Sequence, residues 1–234
     1  MLDLIAFDAD DTLWHTEHLY SDAQARFQQL LAPYGVTDPI EQQLFAVESA
    51  NLRVFGFGIK SFALSMIETA ITLTGGAITG HDIQQVINLA KAMLSADVQL
   101  LDHAEETVMR LAQDFPLMLI TKGDLLDQES KIERSGLGQH FKHIEIVSDK
   151  NTASYAALLA RHHLRPEGFL MIGNSLRSDV LPVLALGARA VHIPYALTWA
   201  HEQVSPEELA GANYAELEHL GQLPELVQRM KAEG

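Results

Sequence analysis

The chain has 234 residues, 47% of them hydrophobic, with a formal net charge of −15 and a pI near 5.0. This acidity argues against nucleic acid or an anionic membrane as a partner, because both select basic protein surfaces. The sequence contains no cysteine, which excludes disulfides, thiolate metal ligands and a thiol nucleophile.

The two most apolar parts of the sequence predict neither secretion nor membrane insertion. The opening letters MLDLIAFDAD lack a basic segment and become acidic within a few residues, unlike a secretory signal. The longest apolar stretch, 180–200, contains arginine, histidine and two prolines, unlike a membrane span. We therefore expect a soluble, cytoplasmic protein.

The first predicted strand, residues 2–7, is followed by a long helical region. From 16 to 96 apolar residues recur at helical spacing, and two inner helical segments are predicted at about 40–52 and 61–74. The region 16–96 therefore reads as an all-helical insert after the first strand.

A glycine-rich stretch, GFGIKS at 56–61, interrupts this helical region. It lacks the full spacing of a phosphate-binding loop and follows a helical segment rather than a strand, so we predict a bend between helices. Arg53 and Lys60 flank the bend. Either cation could contact an anionic substrate or remain solvated.

From residue 97 onward the pattern changes to alternating strands and helices. Apolar runs PLMLI, HIEIV, GFLMI and RAVHI alternate with helical segments at 124–134, 151–161 and 176–186. Such alternation predicts an α/β fold with a Rossmann-like parallel sheet. The predicted core is 1–15 plus 97–234, with the first strand joining the sheet across the insert.

Polar side chains follow four of the predicted strands. Ligands of open parallel sheets bind at the carboxyl ends of the strands. A polar residue after one strand could simply cap the next helix, but polar residues after four strands indicate a functional site. Carboxylates suit a hard cation such as Mg²⁺, whereas hydroxyl, amide and ammonium groups suit an oxyanion, which together predict phosphoryl chemistry. Asp11 is expected to accept backbone amide bonds. The polar residues that follow the four strands are, strand by strand, Asp8, Asp10 and Asp11; Thr121 and Lys122; Lys150; and Asn174, Ser178 and Asp179.

These residues resemble the motifs of the haloacid dehalogenase superfamily. Its opening Asp-x-Asp-x-Thr motif stands here as Asp8-Ala9-Asp10-Asp11-Thr12, and the second motif resembles Thr121 in LITKGD. The third resembles Lys150 and the fourth resembles the cluster GNSLRSD. The resemblance covers the predicted core and implies that 16–96 is a helical cap domain.

The resemblance implies a Mg²⁺-dependent phosphatase that hydrolyses a small phosphorylated metabolite through an aspartyl-phosphate. Asp8 would be the nucleophile, and Asp10 would protonate the leaving oxygen and then activate water. Thr121 and Lys122 would bind phosphoryl oxygens. Lys150 would balance the charge of Asp8 and the transferred group.

The resemblance also implies a Mg²⁺ site, in which the sequence departs from the family. Mg²⁺ would bind the Asp8 carboxylate and the Asp10 backbone carbonyl. Where the fourth motif commonly has Gly-Asp, this chain has Gly173-Asn174. An amide oxygen can still bind Mg²⁺, but the lost charge should weaken binding unless Asp179 compensates, so the ligand is Asn174 or Asp179.

Three other functions are compatible with the same residues. In 2-haloacid dehalogenases of this superfamily the second Asp of the opening motif is typically replaced, and a halide needs no protonation, so Asp10 favours phosphate. A phosphomutase would keep all four motifs. A non-catalytic binding protein with an impaired metal site is supported only by Asn174. The sequence defines neither the exact substrate nor the oligomeric state.

Overall fold

The molecule is built around a six-stranded parallel sheet. The structure, a computed structural model, describes residues 2–36, 38–197 and 199–232. The sheet order is β3-β2-β1-β4-β5-β6, and each neighbouring pair is parallel. β1, which carries the opening motif, therefore lies between β2 and β4. The strands are β1 (Leu4–Phe7), β2 (Leu117–Lys122), β3 (His143–Val147), β4 (Phe169–Gly173), β5 (Arg189–His192) and β6 (Ala215–Glu216).

Helices cover both faces of this sheet, because successive side chains of each strand point to opposite sides. Ile5 and Phe7 pack with one set of helices, whereas Leu4 and Ala6 pack with the other. The α/β prediction is therefore confirmed. The first set is α5 (Ala104–Leu111), α6 (Leu125–Ser135) and α9 (Leu223–Ala232), and the second is α7 (Thr152–Arg161) and α8 (Leu181–Leu184).

The helical region after β1 has a hydrophobic core of its own, which includes Phe27, Phe62 and Met66. The chain separates into a sheet unit, residues 1–17, 98–122 and 128–234, and a helical unit, 18–97 and 123–127. The segment after β2 thus joins the helical unit, where Asp124 pairs with Lys60 at 2.8 Å. The helices are α1 (Glu17–Leu31), α2 (Ile40–Phe55), α3 (Ile59–Leu73) and α4 (Gly80–Leu94).

The glycine-rich stretch forms the predicted bend between α2 and α3. Gly56 and Gly58 have φ values of 74° and 118°, a backbone region that favours glycine. Of the two flanking cations, Arg53 is exposed, and Lys60 is half exposed in its ion pair with Asp124.

The helical segment predicted over 176–186 consists of two different helices and ends at Leu184. Residues Leu176–Val180 form a π-helix, in which the amide of Leu181 donates to the carbonyl of Leu176, and α8 begins only at Leu181. Pro182 has no amide hydrogen, so an α-helical ladder cannot continue through it, and it occupies the first turn of α8. Across the described residues, no helix combines the length and apolar character needed to cross a bilayer.

Candidate active site

The carboxyl ends of the parallel strands bring the predicted site residues to one edge of the sheet. Asp8 follows β1, Lys122 ends β2, and Asn174 follows β4. Phe7 pairs with Leu119 of β2 and Ile172 of β4, so these strand ends are direct neighbours. The edge therefore concentrates charged groups that are distant in sequence.

Asp8, Lys150 and Asp179 form one group, which we call the Lys150 cluster. The Lys150 ammonium donates to a carboxylate oxygen of Asp8 and, at 2.8 Å, to Asp179 Oδ1. All three side chains are nearly inaccessible to solvent. The other Asp179 oxygen accepts the Ser175 amide at 3.0 Å, and a Cβ at Gly173 would lie 2.1 Å from that oxygen. Only glycine at 173 leaves room for Asp179.

The Lys150 cluster holds two carboxylates against one ammonium. Burial, together with the carboxylates of Asp179 and Asp10, raises the pKa of Asp8 to about 7, and Lys150 offsets only part of this. Burial opposes the charge of Lys150 as well, yet Asp179 and Asp8 raise the pKa of Lys150 above its usual range. The cluster thus has more negative than positive charge and would be stabilised by a further cation.

Thr12 connects the opening motif to the fourth. Its hydroxyl donates toward Asp8 Oδ2 at 2.9 Å and lies 3.1 Å from the side-chain oxygen of Asn174. The same hydroxyl accepts the Asn174 amide at 3.0 Å, and His192 holds the Asn174 carbonyl oxygen at 3.0 Å. Asn174 is therefore fixed beside the Lys150 cluster.

Asp10 belongs to a different group, Asp10, Gln128 and Lys131, which we call the Lys131 cluster. Lys131 donates to both Asp10 oxygens, at 2.7 and 2.9 Å, and Gln128 donates to one of them at 2.8 Å. Trp14 Nε1 and the Thr16 hydroxyl add bonds of 2.8 Å each. The Asp10 carboxylate is thus surrounded by donors.

These donors set the charge of Asp10. Burial by itself would raise the pKa of Asp10. The charge of Lys131 and hydrogen bonds from Lys131, Gln128 and Thr16 outweigh burial and lower this pKa to about 2. In this arrangement Asp10 is an anion at neutral pH and has no proton to donate. The sequence analysis missed Lys131 and Gln128, whose only signal is a pair of polar residues three apart on the helix that follows the second motif.

The two residues predicted to bind phosphate lie at the end of β2. Thr121 is buried there. Lys122 forms an ion pair with Glu202 and donates to the Ser178 hydroxyl at 2.9 Å. Glu202 was missed by the sequence analysis. Burial opposes its charge, but Lys122 and the hydroxyls of Ser175 and Ser178 lower the pKa of Glu202.

Asp11 has the role predicted for it. Its carboxylate accepts the backbone amides of Thr16 and Glu17, at 2.8 and 3.1 Å, at the start of α1. Asp11 adopts a left-handed conformation with φ of 59°, which aspartate tolerates better than most residues. It therefore caps the helix rather than joining either cluster.

The side chains around Asp8 carry the kind of oxygen atoms that Mg²⁺ binds. Over residues 2–36, 38–197 and 199–232, no three His, Asp or Glu side chains are arranged to hold a metal together. The Lys150 cluster supplies two carboxylates, and the Asn174 amide oxygen is linked to it through Thr12. All are hard oxygen donors in a site with excess negative charge, so the residue types fit Mg²⁺.

A buried carboxylate that follows the central strand β1, paired with a lysine that follows β3, gives this α/β protein a candidate carboxylate nucleophile. A family model described as "haloacid dehalogenase-like hydrolase" matches residues 2–187. The chain therefore belongs to the haloacid dehalogenase-like hydrolases, a family of enzymes, and the resemblance read from its motifs is confirmed.

Solved structures agree with this family. A haloacid dehalogenase-like hydrolase from Xanthomonas campestris is 41% identical, with a TM-score of 0.88, and the match covers 99% of this chain and 93% of that one. A 2-haloacid dehalogenase from Pseudomonas syringae is 24% identical (TM-score 0.64; 98% and 100% covered). A predicted phosphoglycolate phosphatase from Haemophilus somnus is 16% identical (0.65; 97% and 98%). The last two support the fold alone. A search among curated proteins found no match.

Proposed function

We propose that this hydrolase is a Mg²⁺-dependent phosphatase that acts on a small phosphorylated metabolite in the cytoplasm, through an aspartyl-phosphate on Asp8. The observation that supports it most is the charge at the strand ends. The residues described there hold four carboxylates, Asp8, Asp10, Asp179 and Glu202, against three ammonium groups, Lys122, Lys131 and Lys150.

This charge balance favours phosphate with a divalent cation over a bare anionic substrate. A 2-haloacid carries a carboxylate and would add negative charge to a site that already has an excess. A divalent cation would reverse that excess and attract a phosphate dianion. The side chain of Asp8, the backbone carbonyl of Asp10 and the side chain of either Asn174 or Asp179 would hold it.

In the proposed reaction a carboxylate oxygen of Asp8 attacks phosphorus. The new bond forms as the bond from phosphorus to the leaving oxygen breaks, and that oxygen takes up a proton. Water then attacks the aspartyl-phosphate, releases inorganic phosphate and restores Asp8. Lys150 stabilises the transferred group, and Thr121 and Lys122 bind its oxygens. When bound, Mg²⁺ supplies positive charge to the phosphoryl oxygens.

Asp10 is proposed as the acid and then the base. Its carboxylate is fully engaged with the Lys131 cluster, Trp14 and Thr16. To protonate the leaving oxygen, Asp10 must therefore exchange part of its contact with Lys131 for that oxygen and gain a proton. This exchange is a specific requirement of the phosphatase proposal.

A 2-haloacid dehalogenase is the second candidate, and the charge state of Asp10 favours it. A carboxyl group whose pKa is lowered to about 2 offers no proton, and a halide leaving group needs none. In that reaction Asp8 would attack carbon, displace the halide as an anion and form an ester, which water would hydrolyse. The similar Pseudomonas syringae structure bears this activity in its name.

One experiment separates the two candidates. Release of inorganic phosphate from an aryl phosphate is measured with Mg²⁺ and with excess chelator, beside release of halide from a 2-haloacid, for wild type and Asp8→Asn. We expect Mg²⁺-dependent phosphate release that the variant abolishes while it still folds and unfolds cooperatively on heating. Halide release alone would favour the dehalogenase, and turnover retained by Asp8→Asn would contradict the nucleophile assignment.

A further inference from the structure

The connection between β5 and β6, residues 193–214, is long and irregular. In the part of it that the structure describes, the regular structure is one three-residue 3₁₀ helix, Ala200–Glu202. Long irregular segments in compact domains often serve function. Arg177 of the π-helix holds this segment: it donates to the Gln203 carbonyl at 3.1 and 2.8 Å and to Glu208 at 3.1 Å.

Glu202 reaches from this segment to the strand-end edge. Its side chain is only 12% exposed. The Glu202 carboxylate accepts hydrogen bonds from the Lys122 ammonium and from the hydroxyls of Ser175 and Ser178. The Ser178 hydroxyl lies 2.7 and 3.0 Å from the two carboxylate oxygens. One acidic group thus holds a lysine from the end of β2 and two serines from the turn after β4.

Those serines are directly connected to the Lys150 cluster. The Ser178 amide donates to the Ser175 hydroxyl oxygen at 3.0 Å, and the Ser175 amide donates to Asp179 at 3.0 Å. Asp179 in turn binds Lys150, which binds Asp8. Ser175 is therefore held by Glu202 at its hydroxyl and by Asp179 at its amide.

We propose that Glu202 is a positioning residue of the active site, which fixes Ser175 and Ser178 and thereby holds Asp179 and Lys150 against Asp8. The effect of this positioning role on kcat rests on the proposed function. Without an acceptor at 202 the two hydroxyls turn to other partners, the π-helical turn loses its support, and Asp179 no longer presents its oxygen to Lys150. Glu202 itself touches no reacting atom.

The test compares Glu202→Leu and Glu202→Gln with Glu208→Gln, a control on the same segment. Glu208 is an exposed partner of Arg177. In Glu202→Leu we expect crystal structures to show Asp179 turned away from the Lys150 ammonium, and kcat to fall by about 10–100-fold, as for other supporting interactions. The KM is no test of this role, because Glu202 also pairs with Lys122, which is proposed to bind phosphoryl oxygens.

The conservative variant supplies the second readout. Glu202→Gln keeps one acceptor oxygen for the serine hydroxyls, so its kcat should lie between those of wild type and Glu202→Leu. Glu208→Gln should match wild type in kcat and in the arrangement around Lys150. A graded loss of kcat, accompanied by a graded change around Asp179, is not expected from a general loss of stability, which thermal unfolding of each variant would report.

Two results would overturn the positioning role. One is an unchanged arrangement of Asp179, Lys150 and Asp8 in the crystal structure of Glu202→Leu, and the other is a kcat within about 2-fold of wild type. If wild type releases halide instead of phosphate, kcat is taken from halide release. If it releases neither, the phosphatase proposal fails while the crystal structures still decide the role of Glu202.

Discussion

Asp8 and Asp10 are separated by a single residue, yet the protein gives them opposite surroundings. In the Lys150 cluster Asp8 shares one ammonium with Asp179, and burial raises the pKa of Asp8 to about 7. In the Lys131 cluster both Lys131 and Gln128 donate to Asp10, and the pKa of Asp10 is lowered to about 2 despite burial. Burial is common to both, so the difference comes from the neighbours: Asp8 has a second carboxylate beside it, whereas Asp10 has more donors.

This difference separates two tasks that one short motif must perform. The nucleophile lies where negative charge is in excess, so it is poised to be stabilised by a cation or an incoming electrophile. The second aspartate is held as a satisfied anion until something competes for its donors. Substitutions that alter the surroundings of one aspartate at a time test this contrast.

Replacing Lys150 should have the largest effect. Lys150→Met leaves Asp8 and Asp179 without the ammonium they share, so we expect kcat to fall by about 1,000-fold, as when a dedicated charge-stabilising group is removed. The measurement is steady-state release of phosphate or halide. Lys142→Met, which removes an exposed lysine next to β3, is the control and should be neutral. Activity retained by Lys150→Met would separate Lys150 from the chemistry.

The pH dependence of stability should reveal Asp8 in metal-free protein. Between its ordinary pKa and about 7 the folded protein keeps a proton on Asp8 that the unfolded chain loses. Stability from this group is therefore present at low pH and is lost as the pH rises through about 7. Urea unfolding in chelator should show a steeper decline from about pH 5 to about pH 8 for wild type than for Asp8→Asn. Parallel curves would contradict the raised pKa.

Removing Lys131 should destabilise the fold with the opposite pH dependence. The lowered pKa of Asp10 stabilises the folded state above its ordinary pKa, and this contribution is lost as the pH falls through about 2. Lys131→Met should cost about 2 kcal/mol near neutral pH, measured by urea unfolding. The exposed ion pair of Lys60 with Asp124 is the comparison, and Lys60→Met should cost less than about 1 kcal/mol. Equal costs would show that the Lys131 cluster behaves as a surface pair.

Changing Asn174 should have the smallest effect and should act on the Lys150 cluster alone. Asn174→Asp adds a carboxylate beside a proposed Mg²⁺ site, so we expect Mg²⁺ binding to tighten by about 10-fold, seen as a larger rise of Tm on Mg²⁺ titration. Asn88→Asp, on the exposed face of α4, is the matched control, because the side-chain oxygen of Asn88 accepts a hydrogen bond from Gln84 and Asp keeps that acceptor. An unchanged Mg²⁺ response would move the ligand role to Asp179.

The fold class, and the position of the charged side chains at the carboxyl ends of the strands, can be predicted from local sequence patterns. A strand followed directly by acids, and later strands followed by Thr121, Lys150 and Asn174, are local patterns, and parallel strands bring their ends to one edge whatever the loops do. The role of Asp11 as a cap was equally local, because its acceptor geometry depends on the next few residues. The resemblance to the haloacid dehalogenase superfamily came from the same motifs and their order along the chain.

Which partner neutralises each charged side chain depends on the packing of the folded chain and could not be predicted from the sequence. Lys131 lies 121 positions from Asp10, and Glu202 lies 80 positions from Lys122, so no local pattern links either pair. Their pairing depends on which faces of α6 and of the β5–β6 connection pack at the edge. The pKa of a carboxylate depends on burial and on the distance to each donor, which are properties of the packed chain. Two aspartates in one motif therefore acquired opposite electrostatics that their sequence alone could not specify.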